Sequence, residues 1–457
     1  MGEITVKIII AGCGKIGSSL IGLLSAEGYE LTIIDTDSAV LDGLIESYDV
    51  MSVCGNCATQ DVLVQAGVKD ADLLIAASGT DEINMLSCMV AHGTNPNIHT
   101  IARIRNPEYS EQSARMRDLF GLSLVVNPER QAAAEIERLL KYPGFLKRDT
   151  FAKGRVEIVE LKIDGNNPLR NTTLMNLEKI VRCKVLVCVV LRDGKAIAPS
   201  GEFVLREGDR IFVTGAVGEI TALLKHLGIV AHKAKRVLIC GAGRLCHYLI
   251  RLLLHDGSSV TVIEKDREKC VRMSEIFPNI DIICGDASSQ DLLESENISE
   301  FDATVTMTGM DELNILISLY GSRKGVRQNV TKITHFKDSD IINALPLGSI
   351  ISPDDLCCSR IVRYVRAMKN QTGAAVSVHL IADRKAEAME FRVDENTLHC
   401  GEPLRSIRTK SNVLLACITS GSKITIPNGD SVFNKGDTIV VVTTGENVIY
   451  QLNDIFE

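Results

Sequence analysis

The chain has 457 residues, 45% of them apolar and 24% charged, with a formal net charge of −8. This is enough chain for about three or four domains of ordinary globular composition, and the acidic balance argues against a general nucleic-acid binder. No run approaches the ~18 apolar residues of a membrane span, and an apolar strand starting at Val6 leaves no room for a signal peptide, so a cytoplasmic protein, soluble or peripheral to a membrane, is expected.

The first predicted strand, Ile8–Ala11, runs straight into Gly12-Cys13-Gly14-Lys15-Ile16-Gly17. A helix should follow over 16–27, with Ile16, Leu20, Leu23 and Leu24 near helical spacing. A second strand, Leu31–Ile34, ends at the acid Asp35. GxGxxG alone is a weak signal, but here a strand precedes it, a helix follows it, and an acid lies about 20 residues on. In that setting Gly12 permits the tight turn, Gly14 lets a diphosphate approach the backbone, and Gly17 lets the helix pack close to the strand. Amides at the helix start stabilise phosphate charge. Asp35 can accept ribose hydroxyls and would repel a 2′-phosphate, which favours NAD(H) or an adenosine nucleotide over NADP.

Three more strands are expected at Val50–Val53, Leu73–Ala77 and His99–Ile104. Gly55-Asn56 follows the third strand and Ser78-Gly79 the fourth, at the carboxyl edge where open α/β sheets hold ligands. Asp81 opens a helical pattern and reads first as an N-cap. Alternation in "TIARIRNPE" puts Ile101, Arg103 and Arg105 on one face. Arg103 is then either a planar fork for phosphates or a solvated surface charge. Short, fully apolar strands alternating with helices imply a parallel sheet covered on both faces, a Rossmann-type architecture. From Val156 to Gly228 the texture changes to β-rich runs (Val156–Ile163, Val185–Leu191, Arg210–Thr214), turn signals at Asp193-Gly194 and Gly208-Asp209, and a closing helix from Glu219.

The series then repeats. "VKIIIAGCGKIG" is matched by "KRVLICGAGRLC", with Gly12 and Gly241 229 positions apart, as are Asp35 and Glu264. "CGNCATQDVL" is matched by "CGDASSQDLL" and "SGTDEINML" by "TGMDELNIL", at an offset of 230. "APSGEFVLREGDRIFVTG" has its counterpart in "IPNGDSVFNKGDTIVVVTTG". The chain is a tandem duplication: two Rossmann-like parallel-sheet α/β domains (1–125 and 233–352), each followed by a small β-rich α+β domain (145–230 and 372–457). The second candidate site comprises Gly241, Ala242, Gly243, Arg244, Leu245, Glu264, Gly285 and Asp286. Cys246 replaces the third glycine, which should alter strand–helix spacing more than it blocks phosphates. Arg244 stands at the place of Lys15 and faces either phosphates or solvent. Aligning "KITHFKDSD" with "TIARIRNPE" puts His335 at the place of Arg103, so weaker charge clamping and a different affinity are expected of the second site.

Of the 14 cysteines, most read as small buried thiols. Cys54-Gly-Asn-Cys57 has CxxC spacing, but no second pair completes a zinc site, and no metal is expected.

The alternating order of Rossmann-like and β-rich domains, "GCGKIG", "GNCATQDVLVQAG", "SGTDEINMLSC" and "IARIRNPEY" resemble the TrkA family over essentially the whole chain. These are peripheral, nucleotide-binding regulatory subunits of Trk potassium uptake systems, built from RCK (KTN) domains. The resemblance implies no enzymatic activity, a homo-oligomeric ring assembled through Rossmann helices, and a membrane-embedded potassium transporter partner (TrkH/TrkG-like) reached from the cytoplasmic face. It also implies NAD(H), with ATP or ADP as alternatives, held by Gly12–Ile16, Asp35, Ser78, Gly79 and Arg103. Two rival readings are an NAD-dependent oxidoreductase, for which no His pairs recognisably with Asp or Arg beside a fingerprint, and a structural ring whose nucleotides are fixed parts.

Overall fold

The structure, a computed structural model, describes residues 6–117, 119–141, 147–152, 154–228, 233–335, 342, 345–368, 375–383, 385–445, 449 and 451–457. The chain divides into two compact units. The first is Met1–Ala134 with Gly243–Arg251 and Ser352–Val365; the second is Glu135–Ala242 with Leu252–Ile351 and Arg366–Glu457.

In the first unit the chain alternates strand and helix: β1 (Lys7–Ala11), α1 (Lys15–Ala26), β2 (Glu30–Asp35), α2 (Ser38–Ser47), β3 (Met51–Cys54), α3 (Gln60–Gln65), β4 (Leu73–Ala76), α4 (Asp81–Thr94), β5 (His99–Arg103), α5 (Pro107–Met116) and β6 (Leu124–Val126). α6 (Pro128–Lys141) follows. The strands form one parallel sheet in the order β3-β2-β1-β4-β5-β6. Five strands are expected from the sequence and six are found; β6 is only three residues long, too short for a periodicity to show. Ile8 to Ala11 are fully buried because both faces of β1 are covered. α1 turns Ile16, Leu20, Ile21 and Leu24 toward the sheet, the spacing of one helical face. Local chemistry sets the helix starts. Asp37 caps α2 through the Ala39 amide at 3.0 Å, and Asn106 caps α5 ahead of Pro107. The order reverses between β1 and β4, and there the Gly12 loop and the Ser78-Gly79 loop emerge side by side.

The second unit holds three sheets. The first is antiparallel, built from β7 (Lys147–Phe151), β8 (Val156–Lys162), β9 (Val185–Arg192), β10 (Lys195–Ile197) and β11 (Arg210–Ala216), with α7 (Leu177–Val181) and a closing helix α8 (Val217–His226). Its order is β10-β9-β11-β8-β7. The second is parallel: β12 (Arg236–Cys240), β13 (Ser259–Glu264), β14 (Asp281–Cys284), β15 (Ala303–Thr306), β16 (Gln328–Lys332) and β17 (Ser349–Ile351), in the order β14-β13-β12-β15-β16-β17. Its helices are α10 (Arg267–Ile276), α11 (Gln290–Ser295) and α12 (Asp311–Arg323), while α9 (Arg244–His255) and α13 (Pro353–Met368) belong for most of their length to the first unit. The third, β18 (Ala375–Ile381), β19 (Ala386–Arg392), β20 (Val413–Ser420), β21 (Lys423–Thr425) and β22 (Thr438–Thr444), repeats the topology of the first. The duplication extends to detail. β9 steps out of register against β11 at Cys188, and β20 steps out against β22 at Ala416, 228 positions on.

The two antiparallel sheets share one core. Phe151, Ile158, Cys188 and Phe212 of the first pack with Ala388, Ala416, Val440 and Val442 of the second. The sequence shows two separate β-rich modules, and their common core depends on contacts more than 200 residues apart. One ion cluster lies among these strands. Arg210 pairs with the nearly buried Glu160 and makes a two-pronged contact with Asp383 at 2.7 and 3.1 Å. Burial alone would lower the Arg210 pKa; Glu160 and Asp383 outweigh it and raise it.

Among the described residues no helix is long and apolar enough to cross a membrane. Replacing Arg210 with Ala leaves the Glu160 carboxylate without its cation, and a broken buried pair costs about 3–5 kcal/mol. The expected result is a lower urea midpoint for the full chain, whereas an unchanged midpoint would show that Glu160 finds another partner.

Candidate functional site

At the end of β1 the chain turns through Gly12 at φ +94°. A Cβ there would lie 2.6 Å from the Ser78 backbone, so the turn demands glycine. A Cβ on Gly14 meets nothing within 4 Å, which leaves its face of the loop open. A Cβ on Gly17 would lie 2.0 Å from the Gly12 carbonyl, so α1 touches the loop backbone directly. No acid stands in the first turn of α1, and its opening amides present their partial positive charge unopposed. Lys15 is exposed, while Cys13 and Ile16 are buried.

Asp35 holds this loop in shape. One carboxylate oxygen accepts the Cys13 amide at 2.6 Å and the other accepts the Asp37 amide at 3.1 Å. The second copy repeats the arrangement: Glu264 accepts the Ala242 amide at 2.7 Å and the Asp266 amide at 3.0 Å. Each carboxylate retains acceptor capacity beyond these bonds. Gly55 and Gly285 donate to the backbone carbonyls of Asp35 and Glu264, both at 2.9 Å. A Cβ on either would press on the side chain of Val62 or Leu292, so helix packing already accounts for these two glycines. Asn56 and Asp286 each close a local turn, onto the Ala58 and Ser288 amides. The Ser288 contacts hold the Asp286 carboxyl below the usual range.

The Ser78-Gly79 loop is braced from two sides. Arg103 donates to the Ser78 carbonyl and Arg105 to that of Gly79. The Nε atoms of both arginines are buried without a hydrogen-bond partner. Burial first, and the neighbouring Arg105 second, lower the Arg103 pKa. Glu129, in the first turn of α6, has its carboxyl pushed up by burial and pulled down by Arg105, Arg244 and Arg103. Arg244, read from the sequence as facing either phosphates or solvent, is exposed and belongs to this cationic group of the first unit.

Two sequence expectations need correction. The counterpart of Arg103 is Lys332, not His335. β4–β5 and β15–β16 pair in matching registers, Leu73 with His99 and Ala303 with Gln328, which puts Arg103 level with Lys332. Lys332 donates to the Thr308 carbonyl at 2.7 Å, as Arg103 does to that of Ser78. His335 instead matches Asn106, and Arg105 is matched by Thr334. The letters of "KITHFKDSD" and "TIARIRNPE" match three residues away from the register that the strand pairing sets. Asp81, secondly, does not cap α4. It accepts the Arg105 and Asn106 amides at 2.9 and 2.7 Å and so fixes the turn after β5. Asp311 holds Thr334 and His335 in the same way.

Sequence reasoning passed over Asn84 and Asn314, both fully buried. Asn84 accepts from the Ser78 amide and hydroxyl at 2.7 Å each and donates to the Arg103 carbonyl at 2.9 Å. Asn314 does the same for Thr308 and Lys332. The available signal was an Asn recurring inside both helices at the 230 offset, where a helix interior gives it no local advantage.

Gly12–Gly17, Asp35, Gly55, Asn56, Ser78, Gly79 and Arg103 thus gather at one sheet edge in the first unit. In the second unit Gly241, Ala242, Glu264, Gly285 and Asp286 gather likewise, with Gly241 at φ +106°. Gly243, Arg244 and Leu245 fall in the first unit, where Arg244 opens α9. Cys246 is fully buried there. Among the described residues no cluster of three His, Cys, Asp or Glu side chains is arranged for a metal ion.

Fold and site define a class: a tandem protein of two Rossmann-like, dinucleotide-type domains, each joined to an antiparallel β domain. The family model of the TrkA-N domain matches residues 8–128 and 237–353, and that of the TrkA-C domain matches 158–228 and 388–456. The chain belongs to the TrkA family. It is 29% identical to the Trk system potassium uptake protein TrkA of Vibrio alginolyticus, covering 99% of this chain and 98% of that one. It is 28% identical to the Haemophilus influenzae protein of the same name, over 99% and 98%. These relatives bear the name of a potassium uptake protein, not of an oxidoreductase. Among solved structures, the GsuK RCK domain superposes with TM-score 0.63 at 18% identity, covering 98% of this chain and 94% of that one. The GsuK channel bound to NAD superposes at 0.62 and 18%, covering 98% and 78%.

Asn84→Ala removes the partner of the Ser78 amide and of the Arg103 carbonyl. Buried polar groups left unpaired cost about 1–3 kcal/mol each. A lower unfolding midpoint and faster amide exchange at Ser78 are expected, and unaltered exchange there would show that the loop does not depend on Asn84.

Proposed function

We propose that this chain is the nucleotide-binding regulatory subunit that gates a membrane-embedded potassium transporter of TrkH/TrkG-like type. In this reading it works as a homo-oligomeric ring, peripheral on the cytoplasmic face of the membrane, with its domains divided as the sequence suggests. The observation that carries the proposal is the duplicated site: two glycine loops, each held by a strand-end acid, in a chain that aligns with Trk-system relatives over nearly its whole length.

The residues suit NAD(H), or ATP or ADP. The open face of Gly14 leaves space for a diphosphate against the loop amides. Asp35 and Glu264 have acceptor capacity left for ribose hydroxyls. Arg103 stands beside the Ser78-Gly79 loop with a buried Nε that has no hydrogen-bond partner, and its guanidinium is the kind of group that binds phosphate oxygens. A neighbour of the same fold is a channel bound to NAD, and another is a GsuK structure bound to ADP. Regulation then follows from linkage. A ligand favours whichever ring arrangement gives it more contacts, and only by its difference in affinity between the two. A tenfold bias needs about 1.4 kcal/mol, the worth of one or two charge-assisted hydrogen bonds.

Titration of the full chain with NADH and with ATP tests the site. Asp35→Ala and Glu264→Ala should each abolish or weaken one class of binding. Arg103→Ala should weaken the first class about tenfold, the ~1.4 kcal/mol of a lost charged contact. Potassium uptake by cells carrying the transporter should lose its nucleotide dependence in parallel. Wild-type affinity in all three variants would remove these residues from the site, and turnover of NADH with a substrate would favour the oxidoreductase.

A further inference from the structure

Two thiols converge on the acid of the second copy. Cys284 ends β14 and pairs in register with Glu264. Cys270 sits in the first turns of α10 and donates its thiol to the Glu264 carbonyl at 3.3 Å. One cysteine thus lies beside Glu264 across a strand pair, where neighbouring strands are about 4.8 Å apart, and the other lies on its backbone. Helix α10 packs against β14, which brings both cysteines to the same residue. The two side chains also sense one another. Burial first, then hydrogen bonding with Cys284, pushes the Cys270 thiol up to about 11. Cys284 is exposed, whereas Cys270 is only 7% exposed. Both are free thiols in this structure.

The first copy serves as an internal control. Cys54 occupies the place of Cys284 and pairs with Asp35. Leu41, 229 positions before Cys270, fills the buried site on the helix. The same scaffold therefore holds a thiol pair in one copy and a single thiol in the other. Packing does not require the second sulfur, because a leucine satisfies the equivalent position.

We propose that Cys270 and Cys284 are a redox modification site, forming a reversible intrachain disulfide that ties α10 to β14 across Glu264. The oxidant class is a hydroperoxide. The accessible Cys284 sulfur, as thiolate, attacks the O–O bond of hydrogen peroxide, giving a sulfenic acid and hydroxide. The Cys270 sulfur then displaces the sulfenic hydroxyl, and its proton leaves with that oxygen as water. In total two thiols lose two electrons and two protons, and one peroxide becomes two waters. A small thiol reverses the bond by exchange. The bridge closes the covalent loop from Cys270 to Cys284, whose two ends both meet Glu264.

The test uses the reduced full chain. It is treated with hydrogen peroxide, its remaining thiols are blocked with N-ethylmaleimide, and it is digested without reductant for mass spectrometry. A peptide pair linked through Cys270 and Cys284, two hydrogens lighter than its parts and separated by dithiothreitol, is expected. Cys54, with Leu41 at the position that matches Cys270, should yield only blocked or sulfenic product. Cys270→Leu, which installs the first copy's residue, should leave Cys284 as a dimedone-reactive sulfenic acid with no intrachain link. Recovery of Cys270 blocked by N-ethylmaleimide in every oxidised sample, or linked to another cysteine, would overturn the proposal. The readout is independent of nucleotide binding, so it stands or fails apart from the proposed function.

Discussion

The rest of the site depends on one bond made twice, from a strand-end carboxylate to the amide that follows the first glycine of the loop. Asp35 holds Cys13 and Glu264 holds Ala242, at 2.6 and 2.7 Å. The amide that follows a positive-φ glycine is turned off its strand and needs another partner, and a buried amide left unpaired is costly. The carboxylate supplies that partner and so fixes where the loop crosses from strand to helix. Everything downstream inherits this position: the open face of Gly14, the contact of Gly17 with the Gly12 carbonyl, and the direction of the α1 amides. The acid is therefore a structural member of the loop in its own right. Aspartate and glutamate differ by one methylene, yet both reach the loop amide and the amide two residues beyond themselves.

A second layer keeps the opposite wall in place. Asn84 and Asp81 lie on α4, and their bonds run to the ends of β4 and β5. One helix thus joins two loops that neighbour each other only through the sheet. Asn314 and Asp311 do this in the second copy, with different residues at the receiving ends. The bonds go mostly to backbone atoms. That is why Ser78 and Thr308, or Arg105 and Thr334, occupy equivalent places without disturbing the frame.

The fold was legible where the sequence carries period and repetition. Apolar strands, glycine loops and acids recur at offsets of 229 and 230, and two copies of a weak motif make a strong one. The legible part ends where position is set by tertiary register. β6 and β10 are three residues each, too short to show alternation. The shared core of the antiparallel sheets joins Phe212 to Val440, far apart in the chain. The pairing of Arg103 with Lys332 is defined by strand register, which similarity of a few letters does not reveal. Asp81 carried the composition of a cap, but its carboxylate faces the turn after β5, and only the fold brings that turn within reach.

The corrected register changes the contrast between the two copies. With His335 at the place of Arg103, the second copy would have lost its fixed cation. With Lys332 there, it keeps the charge and loses the planar fork, and Thr334 removes the second charge altogether. A guanidinium offers donors in a rigid plane suited to two oxygens at once, whereas an ammonium is a compact point charge. Lys332 already directs its ammonium to the Thr308 carbonyl. Arg103 bonds the Ser78 carbonyl through one terminal nitrogen and still has a buried Nε free of any hydrogen bond. The two copies thus keep the acid that shapes the loop and differ in the basic groups beside it. Under the proposed function, a ligand with more phosphate charge should favour the first copy on these grounds, and the second should rely chiefly on loop amides and Glu264.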